Sequence, residues 1–120
     1  IYEEHTMSAV PEMLRLKYFD RFREGDHWKY RIKTKVKKHA LFHRINLMNQ
    51  QYPFVHPLDL IFCRNVLIYF NRQTQAEVLK KFRRHLSPQG YLLLGHTEGL
   101  AGLHNGFCNI IPSVFTTTEG

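Results

Sequence analysis

The sequence predicts an α/β fold, and three patterns in the second half of the chain carry this prediction. A nearly continuous apolar segment at residues 58–63 ends at the polar pair Arg64 and Asn65. Such a segment is typical of a parallel strand covered on both faces, because a half-exposed strand would alternate apolar and polar residues. An amphipathic helical pattern and a second apolar strand follow, which is the order of a strand–helix–strand unit.

The polar pair at the end of this strand is the first candidate for a binding site. In open α/β sheets, ligands lie beyond the carboxyl ends of the strands, and Arg64 and Asn65 are expected there. For an isolated pair, a surface ion pair and a chain turn would be the simpler explanation. The motifs elsewhere in the chain decide between these explanations.

The first third of the chain predicts a short helix followed by an exposed strand. Apolar residues at helical spacing over 10–19 predict a helix that begins near Ser8, with Pro11 in its first turn. Gly25 and Asp26 mark a turn, and residues 28–33 alternate between basic and apolar side chains. Basic residues continue the alternation to residue 38, which predicts one solvated strand face.

The remaining elements alternate between strands and a helix. Residues 39–47 are predicted as a sheet strand, 53–57 as a loop, and the apolar strand ends at Arg64. Asn71 is placed to cap a helix over 72–86, which residues 87–90 stop. Residues 91–94 are predicted as a buried strand and 95–105 as a loop with one helical turn. Strands near 107–111 and 114–118 would form a closing hairpin.

Composition limits the chain to one modest core and favours an acidic partner. The chain has 120 residues, and its formal net charge is +7. Nucleic acid is one acidic partner, but no RNA-binding aromatic pattern or recognition helix accompanies the basic residues, and surface solvation explains them as well. One basic cluster is expected on the outward face of the predicted helix and comprises Lys80, Lys81, Arg83, Arg84 and His85.

Several classes of site and location are not expected. No apolar segment reaches the roughly 18 residues of a membrane span, and the first residues do not resemble a secretory signal, so a cytoplasmic protein is expected. Cys63 and Cys108 lie in predicted strands, where both are expected to be reduced core residues. The eight histidines form no clustered metal-binding pattern, and no metal site is expected.

Three motifs resemble signatures of the CheR-type chemotaxis receptor methyltransferases. They are Asn46-Leu47, the string Ile-Phe-Cys-Arg-Asn-Val-Leu-Ile-Tyr-Phe at 61–70, and Leu-Ser-Pro-Gln-Gly-Tyr-Leu-Leu-Leu-Gly-His-Thr-Glu at 86–98. The resemblance implies a class I, Rossmann-like methyltransferase sheet that binds S-adenosylmethionine. Residues 1–120 would be a partial catalytic domain, with a small antiparallel β-subdomain at about 18–38 and the C-terminal half of the sheet at 39–120. The family's glycine-rich cofactor loop and N-terminal helical domain have no counterpart in the chain.

The resemblance also implies a reaction and a set of site residues. The reaction is methylation of glutamate side chains on methyl-accepting chemoreceptors, which converts S-adenosylmethionine to S-adenosylhomocysteine. Asn46 and Leu47 would lie beside the adenine, and Arg64 and Asn65 would form a second cofactor-contacting pair. Tyr69 would be the catalytic residue near the reactive methyl. The residues alone also allow structural roles in place of these functional ones. Asn46 could be a strand-end turn residue, and Tyr69 a half-buried aromatic residue at a helix start.

Other expectations concern partners and the activity of the chain itself. The β-subdomain would dock an acidic receptor peptide by β-augmentation, with Arg31 and Lys33 attracting its acids. A carboxylate acceptor needs no general base, so His96 is interpreted as structural or substrate-flanking. Without the glycine-rich loop the chain alone is expected to be inactive, because each lost charge-assisted hydrogen bond is worth roughly 1.5 to 3 kcal/mol. The exposed edge of a half-sheet predicts self-association.

Two alternatives to this function stay open from the sequence. One is a noncatalytic module that binds a peptide or nucleic acid through its basic strand. The other is a methyltransferase of the same family whose acceptor is not a chemoreceptor. A salt titration of binding would separate a phosphate-tracking surface from a peptide groove.

Overall fold

A computed structural model describes residues 1–96 and 106–118 of the chain. The chain divides into two compact units, Ile1–Arg44 and Ile45–Gly120. Most of the predicted loop at 95–105 lies outside the described residues. Among the helices in the described part, none has the length and apolar character needed to cross a membrane.

The first unit is built on a three-stranded antiparallel sheet. Its strands are β1 (Tyr2–Glu3), β2 (Phe19–Glu24) and β3 (His27–Ile32), in the order β1-β3-β2. Three short helices accompany them, namely α1 (Glu4–Met7), α2 (Glu12–Tyr18) and α3 (Thr34–Lys37).

Two predictions for this unit need correction at their boundaries. Helix α2 begins at Glu12 rather than near Ser8, because Pro11 stands at its N-cap, where its missing N–H breaks no helical hydrogen bond. The basic strand stops at Ile32, whose partner Phe19 is the first residue of β2. Among the described residues no strand pairs with the chain beyond Ile32. The amides of Val36 and Lys37 instead bond to the Lys33 carbonyl in a helical turn.

The predicted strand at 39–47 is wrong. Residues 39–46 have no regular secondary structure, and within the described residues no strand pairs with them. Leu41 and Phe42 are 83% and 95% exposed, whereas Ile45 packs against the core of the second unit. An apolar pattern becomes a strand only where a neighbouring strand accepts its backbone hydrogen bonds.

The second unit carries a four-stranded mixed sheet. Its elements are β4 (Leu58–Cys63), a 3-10 turn (Leu67–Tyr69), α4 (Arg72–His85), β5 (Leu86–Leu94), β6 (Phe107–Ile111) and β7 (Val114–Thr117). The strand order is β4-β5-β7-β6, with β4 and β5 parallel and the other neighbouring pairs antiparallel. The predicted closing hairpin is confirmed to within one residue.

Strand β5 begins at Leu86, five residues before the predicted start. The register with β4 shifts between Leu58, which faces Leu86, and Leu60, which faces Tyr91. Residues 87–90, which were predicted only to stop the helix, lie within β5 at this irregularity. At Gly90 an added Cβ would lie 2.8 Å from the Leu86 side chain and 3.0 Å from the Asp59 carbonyl oxygen, so any larger residue would force the Leu86 side chain to move.

Helix α4 covers one face of this sheet and confirms the helix predicted from the sequence. The Asn71 side chain accepts a hydrogen bond of 2.9 Å from the Thr74 amide, as expected of an N-cap. Val78 and Leu79 on the helix, together with Leu92 on β5, are fully buried. Burial of aliphatic side chains of this size stabilises the unit by roughly 1.5 to 3 kcal/mol each.

Several side-chain placements differ from the sequence predictions. Tyr91, in the strand predicted as buried, is 45% exposed. Strand β4 is not covered on both faces, since Leu60 is 46% and Phe62 64% exposed on the face opposite α4. Cys108 is exposed, whereas Cys63 is buried as expected, and no disulfide joins the two. Lys81, predicted on the outward face of the helix, is only 8% exposed.

Candidate functional site

The polar pair after β4 lies where the strand turns into the 3-10 turn. Arg64 and Asn65 are both exposed. Asn65 has a φ of 58°, the left-handed region that asparagine tolerates better than most residues. The turn therefore redirects the chain from the strand end toward Tyr69.

An apolar pocket of about 440 Å³ lies at the open edge of β4. Its walls come from residues 45–54, from β4 and the residues after it, and from the last turns of α4. The lining residues are Ile45, Leu47, Tyr52, Phe54, Leu58, Leu60, Ile61, Phe62, Cys63, Arg64, Val66, Phe82 and His85. The pocket thus brings together Leu47 and Arg64, which belong to two separate motifs; Asn46, Asn65 and Tyr69 do not line it.

Asn46 forms a tight turn at the pocket margin. Its side-chain Oδ1 accepts a hydrogen bond of 2.9 Å from the Met48 amide, and its carbonyl accepts one of 3.0 Å from the Asn49 amide. Asn46 therefore forms a turn, although no strand precedes it as the strand-end alternative assumed, and its side chain is exposed.

The carbonyl oxygen of Leu47 receives two side-chain donors from outside its own turn. The Tyr52 hydroxyl donates at 2.8 Å and the Lys81 ammonium at 3.0 Å. Burial raises the pKa of the Tyr52 phenol, and nearby Cys63 adds to the effect, so the hydroxyl stays protonated and donates at neutral pH.

Sequence reasoning missed both donors to this carbonyl. Helical spacing could have predicted that Lys81 faces the core, because it lies three residues after Val78 and directly before Phe82, on the apolar side of α4. Nothing local pointed to Tyr52.

Tyr69 ends the 3-10 turn and is 81% exposed. The turn itself is held by Gln75, whose side-chain Nε2 donates to the carbonyls of Leu67 at 2.9 Å and Phe70 at 3.0 Å. Gln75 is a third residue that sequence reasoning missed. Its hydrogen bonds fix the backbone that carries Tyr69 to the first turns of α4.

The residues predicted to dock a peptide lie in the first unit. Arg31 is on β3, the middle strand, and its guanidinium lies 4.8 Å from the centre of the Phe22 ring. Lys33 follows the end of β3, donates to the Leu16 carbonyl at 3.1 Å and lies 3.9 Å from Asp20. Within the described residues β3 is paired on both sides, so a peptide could add to this sheet only at β1 or at the longer edge strand β2.

Part of the basic surface of the first unit is paired with acids. Lys29 contacts Glu3 and Glu24, and Arg21 lies 2.7 Å from Glu4. The hydrogen bond from Lys29 lowers the pKa of the Glu24 carboxyl. Over 1–96 and 106–118, no three potential metal ligands are grouped closely enough to hold an ion, and His96 is exposed.

The parallel strands joined by α4, with polar residues beyond the end of β4, have the arrangement of open α/β domains, in which ligands lie beyond the strand ends. A family model described as the CheR methyltransferase SAM-binding domain matches residues 1–114, so the chain belongs to the CheR methyltransferase family. That family has a class I methyltransferase fold and binds S-adenosylmethionine. The predicted family is therefore confirmed.

Curated relatives agree with this assignment. The chain is 38% identical over 105 residues to the chemotaxis protein methyltransferase of Borreliella burgdorferi, covering 88% of the chain and 36% of that protein. It is 36% identical over 104 residues to the Escherichia coli chemotaxis protein methyltransferase, covering 87% of the chain and 36% of that protein. A probable chemotaxis protein methyltransferase of Rhizobium etli is 34% identical over 99% of the chain and 45% of its own length. The chain thus spans less than half the length of these relatives.

Proposed function

We propose that the chain is part of an S-adenosylmethionine-dependent methyltransferase of chemotaxis, which methylates glutamate side chains of chemoreceptors. The activity is proposed for the whole protein, of which the four-stranded sheet would be the C-terminal half of a class I sheet. The observation that carries the proposal is the pocket at the β4 edge, where Leu47 and Arg64 from two family motifs meet.

The pocket suits the adenine end of the cofactor. Its apolar walls offer a slot of the kind that binds flat ligands, with a few polar groups at the margin. The Asn46 side-chain oxygen is engaged in its turn, so its amide nitrogen is the group that would donate to an adenine acceptor. The ribose and the methionine part would need residues that this chain does not contain.

Tyr69 and its turn would serve the acceptor. S-adenosylmethionine, when bound, supplies an electrophilic methyl group, and a glutamate carboxylate is already ionised at neutral pH. The chain's own contribution would be alignment, with the exposed Tyr69 hydroxyl orienting the incoming carboxylate and Gln75 holding the turn. Asn65 would set the direction of the chain between β4 and the 3-10 turn through its left-handed backbone conformation.

Titration calorimetry with S-adenosylhomocysteine tests the pocket. In a full-length protein of this family that contains the present chain, Arg64→Ala is expected to weaken binding about tenfold or more, the value of one hydrogen bond to a charged group. Arg84→Ala, at an exposed position of α4 outside the pocket, is the matched control and should bind like wild type. Equal affinity of all three proteins would show that the pocket is not the cofactor site.

Peptide docking by the first unit is a separate proposal. The exposed Arg31 lies opposite Asp20 of edge strand β2, where an acidic receptor peptide could pair with the strand. Arg31→Ala should weaken binding of such a peptide, and Lys37→Ala is the basic control on α3. Identical affinities would remove Arg31 from the docking surface.

The ion pairs of Lys29 and Arg21 offset part of the basic charge on which the nucleic-acid alternative depends. A steep loss of nucleic-acid binding with added salt would revive that alternative. An acceptor other than a chemoreceptor glutamate would be revealed by labelling candidate proteins with a radioactive methyl donor.

A further inference from the structure

Lys81 is a buried cation in a part of the second unit that is otherwise apolar. It is 8% exposed, and within the described residues no carboxylate forms an ion pair with it. Its ammonium contacts the Leu47 carbonyl oxygen at 3.0 Å and lies 5.8 Å from the centre of the Tyr52 ring. Burying a charge on so few partners costs several kcal/mol, whereas an apolar side chain of the same length would pack there without that cost.

The second donor to the same oxygen is equally constrained. Tyr52 is 6% exposed, and its ring stacks on His85 with centroids 5.6 Å apart and is tilted against Phe82 at 6.1 Å. These rings fix the direction of the Tyr52 hydroxyl, which donates to the Leu47 carbonyl at 2.8 Å. A carbonyl oxygen has two lone pairs, and Lys81 and Tyr52 together can occupy both.

The segment that carries this carbonyl is held by the packing of the Ile45 and Leu47 side chains against the core and not by regular secondary structure. Residues 45–47 belong to no helix or strand, and the turn that follows is closed by local bonds from Met48 and Asn49 to Asn46. Those bonds set the shape of the turn and not its position relative to β4 and α4. The two donors to Leu47, one of them thirty-four residues away on α4, supply polar anchors that complement the packing of the Leu47 side chain.

We infer that Lys81 and Tyr52 are positioning residues that clamp the Leu47 carbonyl and thereby set Asn46 and Leu47 at the margin of the pocket. The identity of the ligand rests on the proposed function, whereas the clamp itself rests on the geometry. A charged clamp is favoured over an apolar contact because an ammonium bonds the carbonyl directionally, which a methyl group does not.

Amide hydrogen exchange, followed by NMR on the chain itself, tests the clamp without any ligand. Lys81→Met is expected to speed exchange of the Met48 and Asn49 amides about tenfold, on the order of one lost hydrogen bond. The Leu79 and Leu92 amides should keep their wild-type rates. Lys80→Met, at the exposed neighbouring position, is the matched control and should change none of these rates.

Two further variants keep the test decisive if Lys81→Met weakens the whole unit. Tyr52→Phe keeps the ring and removes only the hydroxyl, so it should also speed exchange at Met48 and Asn49. Lys81→Arg keeps a donor and should restore part of the protection. Unchanged rates at both amides in Lys81→Met and Tyr52→Phe, or an equal rise at every amide including Leu92, would overturn the inference.

Binding of S-adenosylhomocysteine by a full-length protein then separates the clamp from the proposed function. Lys81→Met and Tyr52→Phe should each weaken binding by about tenfold, and Lys80→Met should not. If Arg64→Ala weakens binding and the clamp variants do not, the clamp has no role in cofactor binding and the proposed function stands. If Arg64→Ala has no effect, the proposed pocket fails, while the exchange rates still decide whether the clamp exists.

Discussion

The two faces of the four-stranded sheet differ in cover although the same strands supply both. On one face Leu92 and Leu94 are 0% and 1% exposed beneath α4. On the other face Leu60, Phe62 and Tyr91 are 46%, 64% and 45% exposed. The register pairs Leu60 with Tyr91 on neighbouring strands, so these side chains form one continuous apolar surface.

The exposed face therefore has the composition of a covered one. Parallel strands are usually packed by helices on both sides, and apolar surfaces of this kind mark contacts with further polypeptide. The curated relatives are more than twice as long as the part that this chain matches. We propose that in the whole protein further polypeptide packs on this face and on the open edge of β4.

The largest expected difference between the faces is in the free energy of unfolding. Leu92→Ala removes a fully buried side chain and should lower that free energy by about 2 to 5 kcal/mol in urea unfolding. Leu60→Ala, the same change on the exposed face, should lower it by less than about 1 kcal/mol. Similar losses for both variants would mean that the Leu60 face is also buried in solution.

The junction between β4 and β5 is sensitive to a single methyl group. Gly90→Ala would place a Cβ against the Leu86 side chain and the Asp59 carbonyl, and should destabilise the unit by about 1 to 3 kcal/mol. The exposed neighbour Gln89→Ala is the control and should stay within about 0.5 kcal/mol of wild type. A Gly90→Ala protein as stable as wild type would show that the strands separate there at little cost.

The helix that covers the buried face depends on its N-cap. Asn71→Ala removes the bond to the Thr74 amide and should lower stability by about 1 kcal/mol in thermal or urea unfolding. Gln73→Ala, at an exposed position in the first turn, provides the reference. If both substitutions have the same small effect, the cap is not formed in solution.

The exposed face should govern self-association more than stability. Phe62→Glu is expected to change the free energy of unfolding by about 0.5 kcal/mol or less, yet to reduce oligomers seen by light scattering. Met13→Glu on α2, 82% exposed in the first unit, is a control for added charge. Wild-type chain that is monomeric at every concentration would contradict the predicted self-association.

The smallest expected effect is a pH dependence at the buried face. Because burial raises the pKa of Tyr52, the folded state holds its phenolic proton at a pH where the unfolded chain has lost it. The resulting stability is complete below the unfolded pKa near 10 and falls as the pH rises through the folded value. Tyr52→Phe should flatten this decline in alkaline urea titrations, and an unchanged slope would argue that Tyr52 is accessible.

Local patterns predicted the elements that depend on neighbouring residues. Helix α4, its Asn71 cap and the hairpin of β6 and β7 were all predicted, because capping and apolar periodicity act within a few turns. The position of Arg64 just after a strand was predicted in the same way. The strand expected at 39–47 failed because it needed a partner strand, which no local pattern can supply.

The site shows the same division between local and distant information. Family motifs singled out Asn46, Leu47, Arg64, Asn65 and Tyr69, although their roles stay predictions. Tyr52, Gln75 and Lys81 were missed, since each acts through a hydrogen bond to a backbone carbonyl, a group that every residue carries. No residue pattern could therefore single out those carbonyls as acceptors.

The sequence by itself determined the family, the α4 helix with its cap, and the residues at the end of β4. Only the tertiary structure decided which face of the sheet is covered, that Lys81 points inward, and that Leu47 and Arg64 share a pocket. The physical reason is range: propensity and capping act over a few residues, whereas burial depends on what the rest of the chain places opposite each side chain.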